Sequence, residues 1–162
     1  MNREQKKKAL FLDRDGTINV DKGYVYEKEE FEFQPGIFEL VKKYAEQGYL
    51  IFIVTNQSGI ARGLYTEKDY LQLTDWLKAA FSEKGIKIEK VYHCPHLPEI
   101  SGSCSCRKPN PGMIVEAISE YNIDPATSVL IGDSERDLQA GEKAGIGKNL
   151  YIQYLLADGI FK

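Results

Sequence analysis

Leu10-Phe11-Leu12-Asp13-Arg14-Asp15-Gly16-Thr17 is the stretch that decides the fold. Lys8-Ala9-Leu10-Phe11-Leu12 reads as a short buried strand that runs straight into two aspartates. In an extended backbone, residues two apart share a face, so Asp13 and Asp15 look into one site. Gly16 permits a sharp turn, and Thr17 offers a hydroxyl just beyond it. Two carboxylates this close repel, and a divalent cation with oxygen ligands is the simplest way to hold them together. Without a cation, the same octet is a strand followed by an acidic turn.

Outward from this octet, strand and helix patterns alternate. Asn19 to Gln34 is irregular and rich in Tyr, Gly and charge, with the length of a flap over a site. Pro35-Gly36 opens a helix on which Ile37, Leu40, Val41 and Tyr44 share a face, and Gly48 closes it. Tyr49 to Val54 is apolar on both faces, as a central parallel strand is, and ends in Thr55-Asn56-Gln57-Ser58-Gly59. Thr66 caps a long amphipathic helix that carries Tyr70, Leu73, Leu77, Ala80 and Phe81 and ends at Gly85. Lys90 to His93 is a third strand. After it come a loop with all three cysteines, Arg107-Lys108-Pro109, and a helix from Pro111 with Ile114, Ala117, Ile118 and Tyr121 on one face. Ser128 to Ile131 is a fourth strand and runs into Gly132-Asp133-Ser134-Glu135-Arg136-Asp137. A helix from Glu135 to Ala144 and a strand from Asn149 to Ile152 complete the pattern.

Such alternation implies an α/β fold, a parallel sheet flanked by helices, with the ligand site at the carboxyl ends of the strands. The polar clusters Asp13/Asp15, Thr55/Asn56 and Asp133/Asp137 all follow strands, and Arg107/Lys108 leads into a helix start. Asp13, Asp133 and Asp137 supply oxygen ligands suited to Mg2+, which uses few carboxylates and keeps waters or substrate phosphate. With the charges of Asp13 and Asp133 balanced by the ion, Lys108 leaves the site positive and attracts a phosphate dianion. Arg107 adds a planar fork for a second anionic group. Asp13 is then the expected nucleophile and Asp15 the general acid and base, with Thr55 and Lys108 bonded to phosphoryl oxygens. Phosphate monoesters need accelerations of up to about 10^21-fold, which calls for such dense catalytic provision.

The chain of 162 residues is read as one domain. Its net charge of -3 gives no reason to expect nucleic acid. It has no apolar run of membrane-spanning length, and the charged start to Lys8 is not a secretory signal, so the expected location is the cytoplasm. Three closely spaced cysteines argue against a disulfide framework.

Asp13-Arg14-Asp15-Gly16-Thr17, Thr55-Asn56, Lys108, and Gly132-Asp133 with Asp137 resemble, in order, the four motifs of the haloacid dehalogenase (HAD) superfamily. That resemblance implies a Rossmann-like sheet and Mg2+ held by Asp13, Asp15 and Asp133 with Asp137 behind them. Asp21-Lys22-Gly23-Tyr24-Val25, Thr55 to Gly63 and Cys104 to Pro109 resemble the D-glycero-D-manno-heptose 1,7-bisphosphate 7-phosphatases. The narrower resemblance implies hydrolysis of a sugar 7-phosphate through an aspartyl phosphate, in a monomer without a separate cap domain. By the same resemblance, Asp21, Lys22, Gly23, Tyr24, Asn56, Gln57 and Ser58 contact the substrate, and Arg107 reads the phosphate that stays on the sugar. Ser134 departs from the Lys that is frequent there in the family, which weakens the inference of sugar preference. Histidinol-phosphate phosphatase and a non-catalytic zinc-stapled binding module are the alternatives.

Cys94, His96, Cys104 and Cys106 bring three thiols and an imidazole into one loop, a donor set that closes a tetrahedral structural zinc site. The one-residue gaps are tighter than most zinc-finger spacings, and the resemblance adds that relatives bear zinc here. Zinc would also fix the aim of Arg107 and Lys108. Free reduced cysteines are the plain alternative, and His93 is expected to belong to its strand.

Overall fold

The computed structural model describes residues 5–157. In chain order come β1 (Ala9–Leu12), α1 (Ile37–Glu46), β2 (Leu50–Asn56), α2 (Glu67–Glu83), β3 (Ile88–Cys94), α3 (Pro98–Ser101), α4 (Gly112–Tyr121), β4 (Val129–Gly132), α5 (Glu135–Lys143), β5 (Lys148–Tyr151) and α6 (Ile152–Ala157). The five strands form one parallel sheet in the order β3-β2-β1-β4-β5.

The alternation of side chains along β1 divides the core into two layers. Leu10 and Leu12 pack on one side with Ile51, Ile53, Leu40, Leu77 and Phe81, beneath α1 and α2. Ala9 and Phe11 pack on the other with Phe52, Val54, Met113, Ile114 and Ala117, beneath α4. Both faces of the central strands are therefore apolar, as their continuous hydrophobic runs predict. Each such fully buried side chain contributes about 1.5–3 kcal/mol relative to exposure.

Helix α2 begins where its cap predicts. Asp69 N donates to Thr66 Oγ1 (3.0 Å) and Thr66 N to Asp69 Oδ2 (2.9 Å), so two orphan amides at the helix start are satisfied reciprocally. Two short helices lie outside the sequence expectation. Helix α3 interrupts the cysteine loop, with Pro98 in its first turn. Helix α6 takes over at Ile152, which the sequence pattern assigns to the last strand. Its six residues are too few to separate a helical period from the end of a strand, although Ile152, Leu155 and Leu156 stand at i, i+3 and i+4 and all pack on the first core layer. No helix of the described residues is long and apolar enough to cross a membrane.

From β1 the chain moves outward to β2 and β3, then returns to the other side for β4 and β5. The segments leaving β1 and β4 therefore diverge and open a crevice at the carboxyl edge. Asp13 and Asp15 leave β1 into that crevice, and Asp133 leaves β4. The segment over 19–34 is pinned at both ends, with Gln34 N donating to Ile18 O and Val20 N to Glu32 O, both 2.8 Å.

Candidate active site

Asp13 is the first residue past β1, and its amide donates to Ile131 O of β4 (3.2 Å). Its carboxylate meets a lysine 95 residues away. Lys108 Nζ, 3% exposed, donates to Asp13 Oδ1 (2.7 Å), Asp137 Oδ1 (2.5 Å) and Val54 O (2.9 Å). All three ammonium protons are thus placed. Asn56 holds the backbone of this lysine from both sides: its Oδ1 accepts from Lys108 N (3.0 Å) and its Nδ2 donates to Lys108 O (3.3 Å). The other oxygen of Asp137 accepts from Asp133 N (3.1 Å), Ser134 N (3.2 Å) and Ser134 Oγ (3.1 Å), which also caps α5.

Asp13, Asp133 and Asp137 each bring a carboxylate oxygen within 4.8 Å of the others. Burial pushes Asp13 well above the usual carboxylate range; Lys108 pulls it down, but Asp137 and Asp133 push it further up. Burial also raises Asp133. Burial opposes charge on Lys108 and Asp137 too, yet Asp13 and then Asp137 hold the Lys108 amine above its ordinary value, and Lys108 with the Ser134 amide holds the Asp137 carboxyl below. Three carboxylates share one ammonium, so the cluster is short of positive charge.

Asp15 stands apart from that cluster, although the resemblance counts it among the ion's ligands. Arg14 Nε and Nη2 donate to its two oxygens (3.1 Å each), Asn19 Nδ2 to Oδ1 (3.0 Å) and Gln57 Nε2 to Oδ2 (3.1 Å). Arg14 is 1% exposed and also donates to Val25 O of the covering segment (2.7 Å). Sequence reasoning gave no role to Arg14, Asn19 or Tyr65. Only the arginine wedged between two aspartates was a usable signal.

A cavity of about 460 Å³ opens above these groups. Of the expected substrate contacts, Asp21, Gly23, Tyr24, Asn56, Gln57, Ser58 and Arg107 line it, as do Thr55 and Lys108. Lys22 does not: it turns to Glu32 (3.3 Å), its neighbour across the covering segment. Gln57 is buried and already committed. Its Nε2 donates to Asp15 and to Thr55 Oγ1 (2.9 Å), and Tyr65 Oη donates to its Oε1. Arg62 and Arg136 also line the cavity without a role foreseen for them.

Gly16 turns the chain at φ +91°, and a Cβ there would overlap the Asp133 carboxylate. Gly16→Ala is expected to cost about 1–3 kcal/mol, through left-handed backbone and displaced carboxylate together. Urea unfolding followed alongside a phosphate-release assay measures both effects.

Cys94, His96, Cys104 and Cys106 converge as one group. Cys104 Sγ lies 3.6 Å from the sulfurs of Cys94 and Cys106, and His96 Nδ1 lies 3.5 Å and 3.3 Å from those same two sulfurs. The sequence argument against a disulfide is not met at Cys94 and Cys106, which are joined as one with Cα atoms 5.5 Å apart. Convergence of three cysteines and a histidine in one loop brings that pair into bonding range. His93 stays with its strand, beside Glu67 (2.5 Å) and stacked on Tyr70.

Residues 105–151 match the model of the HAD-hydrolase-like family. The chain is 50% identical over 156 residues to D-glycero-alpha-D-manno-heptose-1,7-bisphosphate 7-phosphatase of Campylobacter jejuni, covering 96% of this chain and 88% of that one. It is 51% identical over 146 residues to D-glycero-beta-D-manno-heptose-1,7-bisphosphate 7-phosphatase of Helicobacter pylori, covering 90% and 83%. Among solved structures, D,D-heptose 1,7-bisphosphate phosphatase from B. bronchiseptica, complexed with magnesium and phosphate, superposes with a TM-score of 0.82. It is 33% identical, and the match covers 96% of this chain and 88% of that one.

Proposed function

The chain belongs to the D-glycero-D-manno-heptose 1,7-bisphosphate 7-phosphatase family, and on that premise we propose that it hydrolyses the 7-phosphate of such a bisphosphate through a phosphorylated Asp13. The observation that carries this reading is the buried Asp13–Lys108–Asp137 contact beside Asp133 at the floor of the cavity.

The residues fit a divalent cation. The donors are hard carboxylate oxygens, and the cluster has two more negative than positive charges when all its members are ionised. Asp13 and Asp133 would hold Mg2+, with Asp137 fixing the Asp133 and Ser134 amides and Lys108. Bound there, the ion supplies charge neutralisation and polarises the phosphoryl group.

The chain's own residues perform the transfer. Asp13 offers the oxygen not given to Lys108 to phosphorus, and a P–O bond to Asp13 forms as the bond to the sugar oxygen breaks. Asp15, locked in orientation by Arg14, Asn19 and Gln57, donates a proton to the departing sugar oxygen. The same carboxylate then takes a proton from the water that attacks phosphorus, releasing phosphate and restoring Asp13. Thr55 hydrogen-bonds the phosphoryl oxygens, and Lys108 joins it by turning the proton it gives Val54 O toward the incoming phosphoryl group. Asn56 acts through Lys108, and Gln57 through Asp15. Asp21, Gly23, Tyr24, Ser58 and Arg107 face the sugar and its second phosphate. Phosphate release from heptose 1,7-bisphosphate, with histidinol phosphate as the comparison and with Mg2+ present or chelated, tests this reading. Faster turnover of histidinol phosphate would overturn it.

The four donors of the cysteine loop fit zinc. With ligand bonds of about 2.0–2.3 Å, a tetrahedral ion spaces its donors about 3.5–3.8 Å apart. Three of the observed separations, 3.5, 3.6 and 3.6 Å, agree, and the His96–Cys106 distance, 3.3 Å, is a little shorter; the Cys94–Cys106 pair is the one closed as a disulfide. With thiols reduced, Cys94, His96, Cys104 and Cys106 hold a structural ion that steadies Arg107 and Lys108. Protein purified under reducing conditions is expected to carry one zinc per chain by elemental analysis. Its removal is expected to lower Tm by roughly 5–15 °C. Full activity and an unchanged Tm after removal would contradict this role.

A further inference from the structure

The chain has sixteen lysines and only five arginines. The cavity reverses that preference: Arg62, Arg107 and Arg136 line it, and Lys108 is the one lysine that does so among the described residues. Lys108 is already committed to Asp13, Asp137 and Val54 O. A planar guanidinium matches phosphate oxygens bidentately where an ammonium cannot, so this distribution follows the demands of an anionic ligand.

Of the three arginines, Arg62 lies over the Tyr24 ring (5.7 Å) and Arg107 donates to His96 O (3.4 Å). Arg136 is exposed and has no hydrogen-bond or ion-pair partner among the described residues. It is the second residue of α5, where the helix dipole disfavours a cation. A long cation in an unfavourable place, unpaired and lining a cavity, stands available to an anionic ligand. Its neighbour Ser134 is short and gives its hydroxyl to Asp137, so it leaves the rim beside Arg136 open.

We propose that Arg136 determines substrate specificity by pairing, together with Arg107, with the phosphate that stays on the sugar. Arg107 reaches the rim from the loop after β3 and Arg136 from the segment after β4, on the two sides of β1 and Asp13. Both line the one cavity above Asp13, in which a sugar whose 7-phosphate rests at Asp13 must place its far phosphate. This rests on the bisphosphate being the substrate.

The test compares wild type, Arg136→Gln and Arg136→Lys on heptose 1,7-bisphosphate and on heptose 7-phosphate. For Arg136→Gln, kcat/KM on the bisphosphate is expected to fall about 10- to 100-fold, mainly through KM. Turnover of the monophosphate is expected to change less than about twofold. Arg136→Lys is expected to recover part of the loss, because the charge returns without the fork. The glutamine substitution removes a cation from a helix start, so Tm is expected to hold or rise. Equal losses on both substrates, or none on the bisphosphate, would overturn the role of Arg136 alone. Failure of the wild type to hydrolyse the bisphosphate would overturn the substrate reading and this inference with it.

Discussion

Asp13→Asn is expected to abolish phosphate release, lowering kcat by at least about four orders of magnitude, while the protein stays folded. The amide is nearly the same size, and its oxygen can still accept from Lys108, whose Nζ lies 2.7 Å from Asp13 Oδ1. What it lacks is an anionic oxygen to attack phosphorus. Asp13 is one of three carboxylates that share a single ammonium, and burial already disfavours its charge. Removing that charge relieves the cluster, so Tm is expected to stay level or rise. Loss of activity with preserved stability separates a nucleophile from a structural brace. Phosphate release and a thermal melt on the same preparation give both readouts. Residual activity above about 1% would require another group to attack.

Lys108→Met has the opposite signature, losing both activity and stability. Lys108 and Asp137 are each 3% exposed, and the lysine is the cation that holds Asp13 and Asp137 together. Methionine fills the space and leaves two carboxylates facing each other without a counter-charge. Breaking a buried pair from one side costs about 3–5 kcal/mol. The lost donor to the phosphoryl oxygens is expected to lower kcat by a further two to three orders of magnitude, roughly the effect of deleting one oxyanion donor. Lys108→Arg is not expected to rescue either property, because the slot between Asp13, Asp137 and Val54 O is built for a point donor. Denaturant unfolding with and without Mg2+, beside kcat, checks this. A methionine variant as stable as wild type would mean that the pair is not what orders the floor of the site.

The carboxyl edge was legible because its acidic and Thr55/Asn56 clusters each follow a strand whose apolar run is unambiguous. Leu10 to Leu12 and Tyr49 to Val54 are apolar throughout, and Asp13 and Thr55 stand immediately after. What could not be read was commitment, the question of which polar groups are already spoken for. Gln57 looks free in the sequence, but its partners are Asp15, 42 residues away, and Tyr65, eight residues on. Lys22 sits in a substrate-like run, yet Glu32 takes it once the covering segment folds back. Asp15 looks in the sequence like a free carboxylate beside Asp13, but its side chain is held by Arg14, Asn19 and Gln57. Helix α6 escaped notice because its six residues directly continue a strand and are too few to set a period apart from it. Long-range pairing decided most of these cases, and a local pattern does not carry it.

The identity of the attacking atom is tested most directly by trapping. Enzyme quenched within a single turnover of heptose bisphosphate and treated with borohydride converts an aspartyl phosphate to homoserine, which peptide mass spectrometry locates. The modification is predicted at position 13 and nowhere else. A trapped phosphoryl group on another side chain, or turnover that leaves no residue phosphorylated, would contradict the assignment of Asp13 as nucleophile.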